Sequence, residues 1–482
     1  MTPVPIAGRT EQLDSASPSL DDLRKWDREI VWHAFSQMAQ YDGLIIKSAK
    51  GCWLTTIDGQ KVLDGASSLW CNVHGHTHPK IDAAIVRQLS QVAHVTSLGM
   101  SHPATIQLAK RLVELSPVGL NHVFFSSDGA SAVEVAMKMA FQFWRQCPEP
   151  QPNRNTFLAV GNSYHGDTLG ACSVSDVTRF KSVFDPLLFS VLRGPCPDSY
   201  RFPASLDLHS AQSSERRDAN LTSAPFALLT QYYLDQYEAI LKLHASNVAA
   251  VIIEPLVQGA AGMVVHPPGF LSGLRELTHK YDTLLIADEI AVGIGRTGRM
   301  FACEHDNVSP DLLCIGKGLT GGYLPMSATL ASSRIWNAFL GNYSANIAFQ
   351  HGHTYGGNPL AAAAAQATLD VFEDEQTLEK LVIKSQRLAE LLKKISDHPD
   401  VGDVRQVGFI AAVELVADKV TKRPLPTLER RGATVCREAL KHGVWLRPLG
   451  NVIPIVPPFS IEEHELKLLV DALFAGIEST SS

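Results

Sequence analysis

Paired cysteines and blocks of like charge are both missing from this chain. Its 8 cysteines are scattered over 482 residues without a CxxC pair, which argues against a disulfide framework and against a zinc site. The net charge is −7, and no run of basic residues stands out. Nucleic acid and anionic membranes are therefore not expected as partners, and no metal site is expected.

Long apolar runs are scarce as well. The stretch VAAVIIEPLVQGAAGMVV is interrupted by Glu254, Pro255 and Gln258, so it does not read as a membrane span. Residues 1–23 lack the continuous apolar segment of a secretory signal. The sequence predicts a soluble, cytoplasmic protein, and its 45% of hydrophobic residues suffices for a large core and more than one domain.

Short, almost uninterrupted apolar runs alternate with segments of helical length along most of the chain. Strands are predicted at 122–127, 248–255, 283–290 and 311–317, and a helix at 129–146 directly follows the first of them. Buried strands of this kind are typical of a mostly parallel sheet that helices cover on both faces. The expected fold class is α/β, and the polar residues that end these strands are expected at its ligand-binding edge.

Further segments outline the rest of the chain. The pattern predicts a β-meander at 51–68 with a turn at Asp58-Gly59, a helix at 78–95, an irregular surface insertion at 194–225 and a strongly helical segment at 358–395. The C-terminal part is expected to end in a strand-like segment and a last helix from about residue 461.

Lys317 stands in LLCIGKGLTGG, behind an apolar run and between two glycines. One interpretation is a surface lysine that closes a strand. The other is an amine kept partly out of water, which lowers its pKa and makes it a nucleophile for a carbonyl, with glycines that leave room for the bound group. A phosphate-binding P-loop is excluded, because Asp311 stands where its first glycine is required.

Asp288 closes the apolar strand in LLIADEI. A buried carboxylate is costly unless it is paired with a cation, and a protonated pyridine nitrogen would be such a partner. Together with a lysine that binds the cofactor covalently, this is the pair that pyridoxal phosphate (PLP) requires. A carboxylate that caps a helix is the alternative. The neighbouring GIGRTG lacks the G-x-G-x-x-G spacing of a dinucleotide site.

Two further stretches would suit a planar ligand that carries a phosphate. In FFSSDGASAVEVAMKMA a strand runs into a helix whose first amides, at Gly129 and Ala130, could bind a phosphate, although the same pattern serves as an ordinary N-cap. In NSYHGDT, Tyr164 could stack on a planar ring, and a structural tyrosine is the alternative. His165 could be a satisfied core histidine.

Together these motifs resemble the fold-type I, class III PLP-dependent aminotransferases. LLIADEIAVGIGRTGRMFACEH, PDLLCIGKGLTGGYLPMSATL and GNPLAAAAA are similar to that family's core in order and spacing, and the resemblance covers nearly the whole chain from about residue 25. It implies an N-terminal segment, 1–75, that joins a small domain, a large PLP-binding domain at 76–364, and a C-terminal small domain at 365–482. It also implies a homodimer with the active site at its interface.

The resemblance assigns a role to each motif residue. Lys317 would carry the cofactor through its amine and later move the substrate proton, and Asp288 would hold the pyridine nitrogen. The other cofactor-binding residues that it implies are Gly129 and Ala130 at the phosphate, Tyr164 and Glu254 at the ring, and His353 and Thr354, of which Thr354 would reach the phosphate of the other subunit.

Finer motifs resemble the biotin-biosynthesis branch of this family, whose members aminate 8-amino-7-oxononanoate to 7,8-diaminononanoate. They are DGASSLWCNVHGHTHP, SYHGDTLGACSV, FQHGHTYGGNPL and GVWLRPLGNVIPIVPP. The resemblance implies that Arg447 binds the substrate carboxylate and that Leu69 and Trp70 form an apolar wall. The remaining substrate-binding residues implied are Phe35, Tyr164, Lys317 and Gly352.

Two amino donors stay open. Members that use S-adenosylmethionine usually carry Tyr where Phe35 stands, Trp where Leu69 stands and HGPTF where this chain has HGHTY. The residues present here look more like a branch that uses lysine, so both donors are retained. Another class III ω-amino acid aminotransferase is the alternative function, and the missing glycine fingerprint argues against a nucleotide-dependent dehydrogenase.

Overall fold

The computed structural model of the chain describes residues 18–203, 206 and 224–481. The predicted insertion at 194–225 therefore lies largely outside the described residues. Within the described ranges, no helix is long and apolar enough to cross a membrane. The same residues contain no group of three or more His, Cys, Asp or Glu side chains that could hold a metal ion.

The helices have the following bounds: α1 (Leu20–Glu29), α2 (Ser67–Trp70), α3 (Pro79–Leu89), α4 (Pro103–Leu115), α5 (Gly129–Gln146), α6 (Leu169–Val174), α7 (Thr178–Lys181), α8 (Ala224–His244), α9 (Phe270–Lys280), α10 (Ser333–Asn337), α11 (Pro359–Asp374), α12 (Thr377–Ser396), α13 (Arg431–Lys441) and α14 (Glu463–Thr480). The strands are β1 (Ile46–Lys50), β2 (Trp53–Thr56), β3 (Lys61–Asp64), β4 (Leu120–Ser126), β5 (Thr156–Val160), β6 (Leu192–Gly194), β7 (Val248–Ile253), β8 (Val257–Gln258), β9 (Val264–Val265), β10 (Leu284–Asp288), β11 (Leu312–Ile315), β12 (Ser327–Ser332), β13 (Val401–Val407), β14 (Ile410–Asp418), β15 (Arg423–Pro424), β16 (Val444–Trp445) and β17 (Val452–Ile455).

A seven-stranded sheet in the order β4-β12-β11-β10-β7-β5-β6 forms the centre of the fold. Strand β12 is antiparallel to both of its neighbours, and the other pairs are parallel. The predicted α/β class with a mostly parallel sheet is confirmed. The sequence does not predict β12, because SATLAS mixes small and polar residues instead of forming an apolar run.

Both faces of the central sheet are buried, as the continuous apolar strands predict. In β7, Val251 and Ile253 belong to one apolar cluster, whereas Ala250 and Ile252 belong to another. Helices α4, α8 and α9 supply side chains to the first cluster, and α5 supplies side chains to the second. Since side chains alternate along a strand, this division shows that helices cover both faces of the sheet.

The two ends of the chain share a second sheet, in the order β1-β2-β3-β16. Strand β16 of the C-terminal part pairs in parallel with β3 at Val444–Leu63 and Trp445–Asp64. Strands β13, β14 and β15 form a third sheet, to which β17 is added by antiparallel pairing with β14. The domain boundaries after residues 75 and 364 stay predictions.

The predicted elements are present, with some corrected bounds. The meander at 51–68 contains β2 and β3, α5 begins at Gly129 as predicted, and α3 ends at Leu89 before residue 95. The segment predicted to be strongly helical, 358–395, is helical, with one interruption. Gln376 adopts a left-handed conformation with φ of 51°, which a right-handed helix cannot continue, so the segment forms α11 and α12.

Candidate active site

Six strands of the central sheet end at the same edge, because β4, β5, β6, β7, β10 and β11 run in one direction. Ligands bind at this edge in open α/β sheets. The polar residues at or just beyond these strand ends are Ser126, Tyr164, Glu254, Asp288 and Lys317. The structure thus places the main candidate residues at one sheet edge, as the sequence predicts.

Lys317 opens a short 3₁₀ turn, Lys317–Thr320, directly beyond β11. Its φ of 43° is a left-handed conformation that is uncommon for a residue with a Cβ. Its Nζ lies 5.4 Å from the centroid of the Trp70 ring and has no hydrogen bond or ion pair with a described residue. Burial lowers the pKa of this amine, and Asp288 and Glu254 oppose that shift. More of the amine is therefore neutral, as attack on a carbonyl requires.

The glycine that follows Lys317 packs closely against the core, and the predicted room for a ligand beside it stays a prediction. A Cβ on Gly318 would lie 3.0 Å from Val73 and 3.3 Å from Ile294. A Cβ on Gly316 would make only ordinary contacts, the nearest at 3.5 Å. The close approach of Gly318 to the core holds the backbone of Lys317 at the sheet edge.

Asp288 ends β10 and is 4% exposed. Its Oδ2 lies 2.7 Å from Nδ1 of His165, and its Oδ1 accepts the N–H of Ile290 at 3.1 Å. Nε2 of His165 is buried and has no hydrogen-bond partner among the described residues. Within the same residues, Asp288 forms no ion pair with Lys or Arg. It is therefore a buried anionic acceptor that suits a cationic ligand atom.

Glu254 lies directly beyond β7 and is 4% exposed. Its Oε1 accepts the N–H of Tyr164 at 2.9 Å, and its Oε2 accepts the N–H of Gly259 at 2.8 Å. Burial raises the pKa of this carboxyl to about 7, and the carboxylate of Asp288 acts in the same direction. Glu254 thus fixes the backbone of Tyr164 and titrates near neutral pH.

Helix α5 presents free amides at its first residues. Asp128 is the N-cap and accepts the N–H of Ser131 at 2.9 Å. The N–H groups of Gly129 and Ala130 donate to no acceptor in the described part of the chain. Gly166 has φ of 127°, and a Cβ on it would lie 2.4 Å from Cβ of Ala130, so the loop after β5 packs closely on the helix start. This helix start suits an anion such as a phosphate.

Tyr164 is half-buried beside these groups. Its hydroxyl donates to Oδ2 of Asp167 at 2.7 Å. Burial raises the pKa of this phenol, and the neighbouring Asp167 adds to the shift, so the group stays protonated. The ring centroid lies 5.5 Å from that of Phe180 in an edge-to-face contact.

Trp70 and Leu69 lie on α2, which is a single left-handed turn. The φ angles of its four residues, Ser67–Trp70, are 50°, 47°, 72° and 70°. The turn buries Trp70, which is 8% exposed, and its ring faces Nζ of Lys317. Leu69 stays 39% exposed. Trp70 therefore lines the lysine site, whereas the role of Leu69 stays a prediction.

Phe35 and Arg447 come together although they are far apart in the sequence. The guanidinium carbon of Arg447 lies 5.8 Å from the centroid of the Phe35 ring. The Phe35 ring lies 5.2 Å from that of Phe180, which in turn contacts Tyr164. A row of three rings therefore connects the lysine site with the guanidinium to which the family resemblance assigns a substrate carboxylate.

The predicted residues at 352–354 make their described contacts with one another and with α5. Nε2 of His353 lies 2.9 Å from Nε2 of His351, whose Nδ1 lies 2.9 Å from Nζ of Lys138. Gly352 and Thr354 are exposed. No hydrogen bond or ring contact in the described residues joins these three positions to the candidate residues above, so their roles stay predictions.

A family model for class-III aminotransferases matches residues 36–477, which is nearly the whole chain. This chain belongs to the class-III aminotransferase family. One relative of this aminotransferase is the adenosylmethionine-8-amino-7-oxononanoate aminotransferase of Geobacter sulfurreducens, which is 46% identical over 95% of this chain and 98% of its own length.

Two solved structures resemble the fold of this aminotransferase. The crystal structure of adenosylmethionine-8-amino-7-oxononanoate aminotransferase from Methanocaldococcus jannaschii has a TM-score of 0.85 at 39% identity, and the match covers 95% of this chain and 98% of that one. An amine transaminase from an uncultivated Pseudomonas species in its PLP-bound form has a TM-score of 0.85 at 35% identity, with 94% and 99% covered. The predicted fold-type I architecture is confirmed.

Pyridoxal phosphate is the cofactor of this aminotransferase, and the chemistry of the site fits it. The free amides of Gly129 and Ala130 suit its phosphate, and the buried carboxylate of Asp288 suits its protonated ring nitrogen. The unpaired amine of Lys317 suits its aldehyde. The contribution of each of these residues stays a prediction.

Three residues near the site were not assigned a role from the sequence. His165 contacts Asp288, and Arg179 and Phe180 lie beside Phe35 and Arg447. The only sequence signal for His165 is its place next to Tyr164. Arg179 and Phe180 carry no local signal, because their partners are brought near by the fold.

Proposed function

We propose that this aminotransferase serves biotin biosynthesis by transferring an amino group to the 7-oxo carbon of 8-amino-7-oxononanoate, which gives 7,8-diaminononanoate. The observation that carries the proposal is the row of rings from Tyr164 through Phe180 to Phe35, with Arg447 at its end. A substrate with a reacting centre, an apolar carbon chain and a terminal carboxylate matches that order of groups.

Each candidate residue has a separate task in this proposal. Bound PLP supplies an electron sink for the bond broken at the substrate carbon. The amine of Lys317 holds the cofactor between turnovers and then moves the proton at that carbon. The carboxylate of Asp288 keeps the proton on the ring nitrogen, and the half-buried ring of Tyr164 flanks the cofactor.

In this proposal, Arg447 binds the substrate carboxylate at the end of the ring row that lies opposite Tyr164. It is half-buried and forms no ion pair among the described residues, so its guanidinium is available to a carboxylate. Phe35 beside it and Trp70 beside Lys317 offer apolar surface for the carbon chain. A guanidinium can bind a carboxylate through two parallel hydrogen bonds, which also fixes its orientation.

The amino donor is S-adenosylmethionine or lysine. The name of the relatives favours S-adenosylmethionine, whereas Phe35, Leu69 and His353 depart from the residues that usually accompany that donor. An ω-amino acid or amine transaminase is the second candidate function, and the likeness to a PLP-bound amine transaminase supports it.

The test offers each donor separately to the purified, PLP-loaded enzyme and follows its visible absorbance. We expect one donor to remove the visible band and 8-amino-7-oxononanoate to restore it, with 7,8-diaminononanoate detected by mass spectrometry. If a simple oxo acid restores the band and 8-amino-7-oxononanoate does not, the biotin-pathway function is wrong. Lys317→Ala should abolish covalent retention of PLP after borohydride treatment, whereas the surface control Lys280→Ala should retain it.

The same proposal includes a homodimer in which Thr354 reaches the phosphate bound by the other subunit. Large apolar side chains that a partner subunit could cover include Trp32 (89% exposed), Leu98 (63%) and Tyr355 (63%). Subunits carrying Lys317→Ala and Thr354→Ala should regain activity when mixed, because each mixed dimer has one intact site. Absence of recovery in mixed dimers confirmed by mass would contradict this arrangement.

A cytoplasmic location is also proposed. All eight cysteines lie in the described residues and none is in a disulfide, which suits a reducing compartment.

A further inference from the structure

Arg179 projects from α7 toward the loop that carries Arg447. Its guanidinium carbon lies 4.5 Å from the centroid of the Phe180 ring. A Cβ on Gly450, three residues beyond Arg447, would lie 3.7 Å from Nη1 of Arg179. Two guanidinium groups from separate elements are thus brought to the same end of the ring row.

Neither of these two arginines has an anionic partner in the part of the chain that the structure describes. Within the described residues, no carboxylate lies at ion-pair distance from Arg179 or Arg447. Burial lowers the pKa of Arg179, and the positive charge of Arg447 lowers it further. Two cations held near each other without an anion repel, so the arrangement is unfavourable until an anion binds.

Another pair of arginines in the chain shows the contrast. Arg201 and Arg405 both pair with the carboxylate of Glu414, and Arg405 also pairs with Asp403 at 2.9 Å. There, neighbouring guanidinium groups share a carboxylate that the chain itself provides. At Arg179 the corresponding anion has to come from outside the described chain.

We propose that Arg179 is a second carboxylate-binding residue, which acts with Arg447 on the terminal carboxylate of an aliphatic acid. This inference rests on the proposed function, because it extends the substrate site that Arg447 defines there. The rings of Phe35 and Phe180 lie between the two guanidinium groups and Tyr164, so the carbon chain of the acid lies along them. The site thereby selects substrates that end in a carboxylate over uncharged amines and ketones of the same length.

A purely structural role for Arg179 would be stacking on Phe180, and such a contact does not depend on the ligand's charge. Two probes separate the roles, because nonanoate carries the carboxylate and nonanamide has the same chain without the charge. Binding of both is measured by isothermal titration calorimetry on the PLP-loaded enzyme. This readout does not require turnover.

Arg179→Gln is expected to raise the Kd of nonanoate about tenfold and to leave that of nonanamide unchanged. Arg179→Lys should recover part of the lost affinity, since the ammonium keeps the charge but not the planar pair of donors. Lys181→Gln is the matched control on the same helix, because Lys181 already has Asp185 at 3.4 Å, and both affinities should stay at the wild-type value.

If Arg179→Gln raises the Kd of both probes equally, the residue acts through packing and the proposal is wrong. The proposal is also wrong if the substitution leaves the Kd of nonanoate unchanged, or if the wild-type enzyme does not bind nonanoate. The kinetic counterpart is a raised KM for 8-amino-7-oxononanoate with little change in kcat. If the wild-type enzyme binds nonanoate through Arg179 but does not aminate 8-amino-7-oxononanoate, the proposed function is wrong and the carboxylate site stands.

Discussion

Nδ1 of His165 lies 2.7 Å from Oδ2 of Asp288, and both side chains are buried. A second contact, from the N–H of Ile290 to Oδ1, fixes the other carboxylate oxygen. Nε2 of His165 has no hydrogen bond among the described residues, so Asp288 is the only hydrogen-bond partner of the imidazole within them. We interpret His165 as a positioning residue that orients the carboxylate expected to face the cofactor ring.

Replacing His165 by Phe should lower kcat by up to about 100-fold, because a carboxylate displaced by about 1 Å loses its alignment. Replacing it by Asn, whose amide can still donate to Asp288, should recover part of that loss. Steady-state kinetics with substrate at saturation measures both effects, and the visible spectrum reports whether PLP is retained. Identical kcat values for the two variants would mean that the contact with Asp288 is not what His165 contributes.

The raised pKa of Glu254 predicts that the stability of the cofactor-free protein depends on pH. Its pKa rises from 4.5 to about 7 on folding, mainly through burial. The folded state therefore binds more protons than the unfolded state between these values, and the contribution present at low pH is lost as the pH rises toward 7. This group should lower the free energy of unfolding by up to about 1.4 kcal/mol per pH unit in that window.

Denaturant unfolding of the wild type and of Glu254→Gln at several pH values between 4.5 and 7 measures this contribution of Glu254 to the free energy of unfolding. The amide does not titrate, so the wild-type curve should fall more steeply than that of the variant. Glu289, whose pKa is likewise raised to about 7 by burial, is a second titrating group and stays in both proteins. Parallel curves would show that Glu254 keeps its ordinary pKa in the folded protein.

The fold follows from the sequence where burial is uniform. The runs that become β7, β10 and β11 are apolar on both faces, and such runs indicate central parallel strands. The break at Gln376 does not follow from local propensity, because the residues on either side of it favour a helix. In the structure α11 packs against α3 and α4, whereas α12 packs against β13 and α14, so tertiary contacts accompany the turn between them.

The site is predictable where a residue stands at a strand end. Lys317 and Asp288 are such residues, and their polar side chains interrupt apolar runs. Phe35 is named only through the family resemblance, because its partners Phe180 and Arg447 are more than 140 residues away in sequence. Arg179 is not predicted at all, since tertiary structure brings the loop at Gly450 next to it. The sequence does not predict the left-handed turn α2 either, because SSLW contains no glycine, the residue that usually indicates positive φ angles.

Asp64 is expected to hold that left-handed turn in place. Its Oδ1 accepts the N–H of Ser68 at 3.0 Å, its Oδ2 accepts the hydroxyl of Ser68 at 2.8 Å, and Nε2 of His76 lies 3.2 Å from Oδ2. A left-handed conformation costs roughly 1–2 kcal/mol per residue, so Ser67–Trp70 needs such compensation.

Asp64→Ala should therefore lower the free energy of unfolding by about 1–3 kcal/mol, since the amide and hydroxyl of Ser68 lose their buried acceptor. Asp64→Asn should cost less, because its oxygen can still accept the N–H of Ser68. Denaturant unfolding measures the difference between the two variants. If both variants unfold like the wild type, the turn is held by packing around Trp70 and not by the carboxylate.

Gly166 allows the loop after β5 to approach the start of α5. Its φ is 127°, and a Cβ on it would lie 2.4 Å from Cβ and 2.8 Å from Cα of Ala130. Gly166→Ala should push this loop away from the amides of Gly129 and Ala130, which are the expected phosphate donors. We expect a raised Kd for PLP and a lower free energy of unfolding, by about 1–3 kcal/mol from the close contact.

Gly119→Ala is the matched control for that change. Gly119 has φ of 100°, and a Cβ on it would have no atom within 4 Å, so the substitution introduces backbone strain without a clash. Unfolding experiments should show a lower free energy of unfolding in both variants. Equilibrium dialysis against PLP should show weaker binding only for Gly166→Ala. Equal PLP affinities in the two variants would mean that the loop after β5 does not position the helix start for the phosphate.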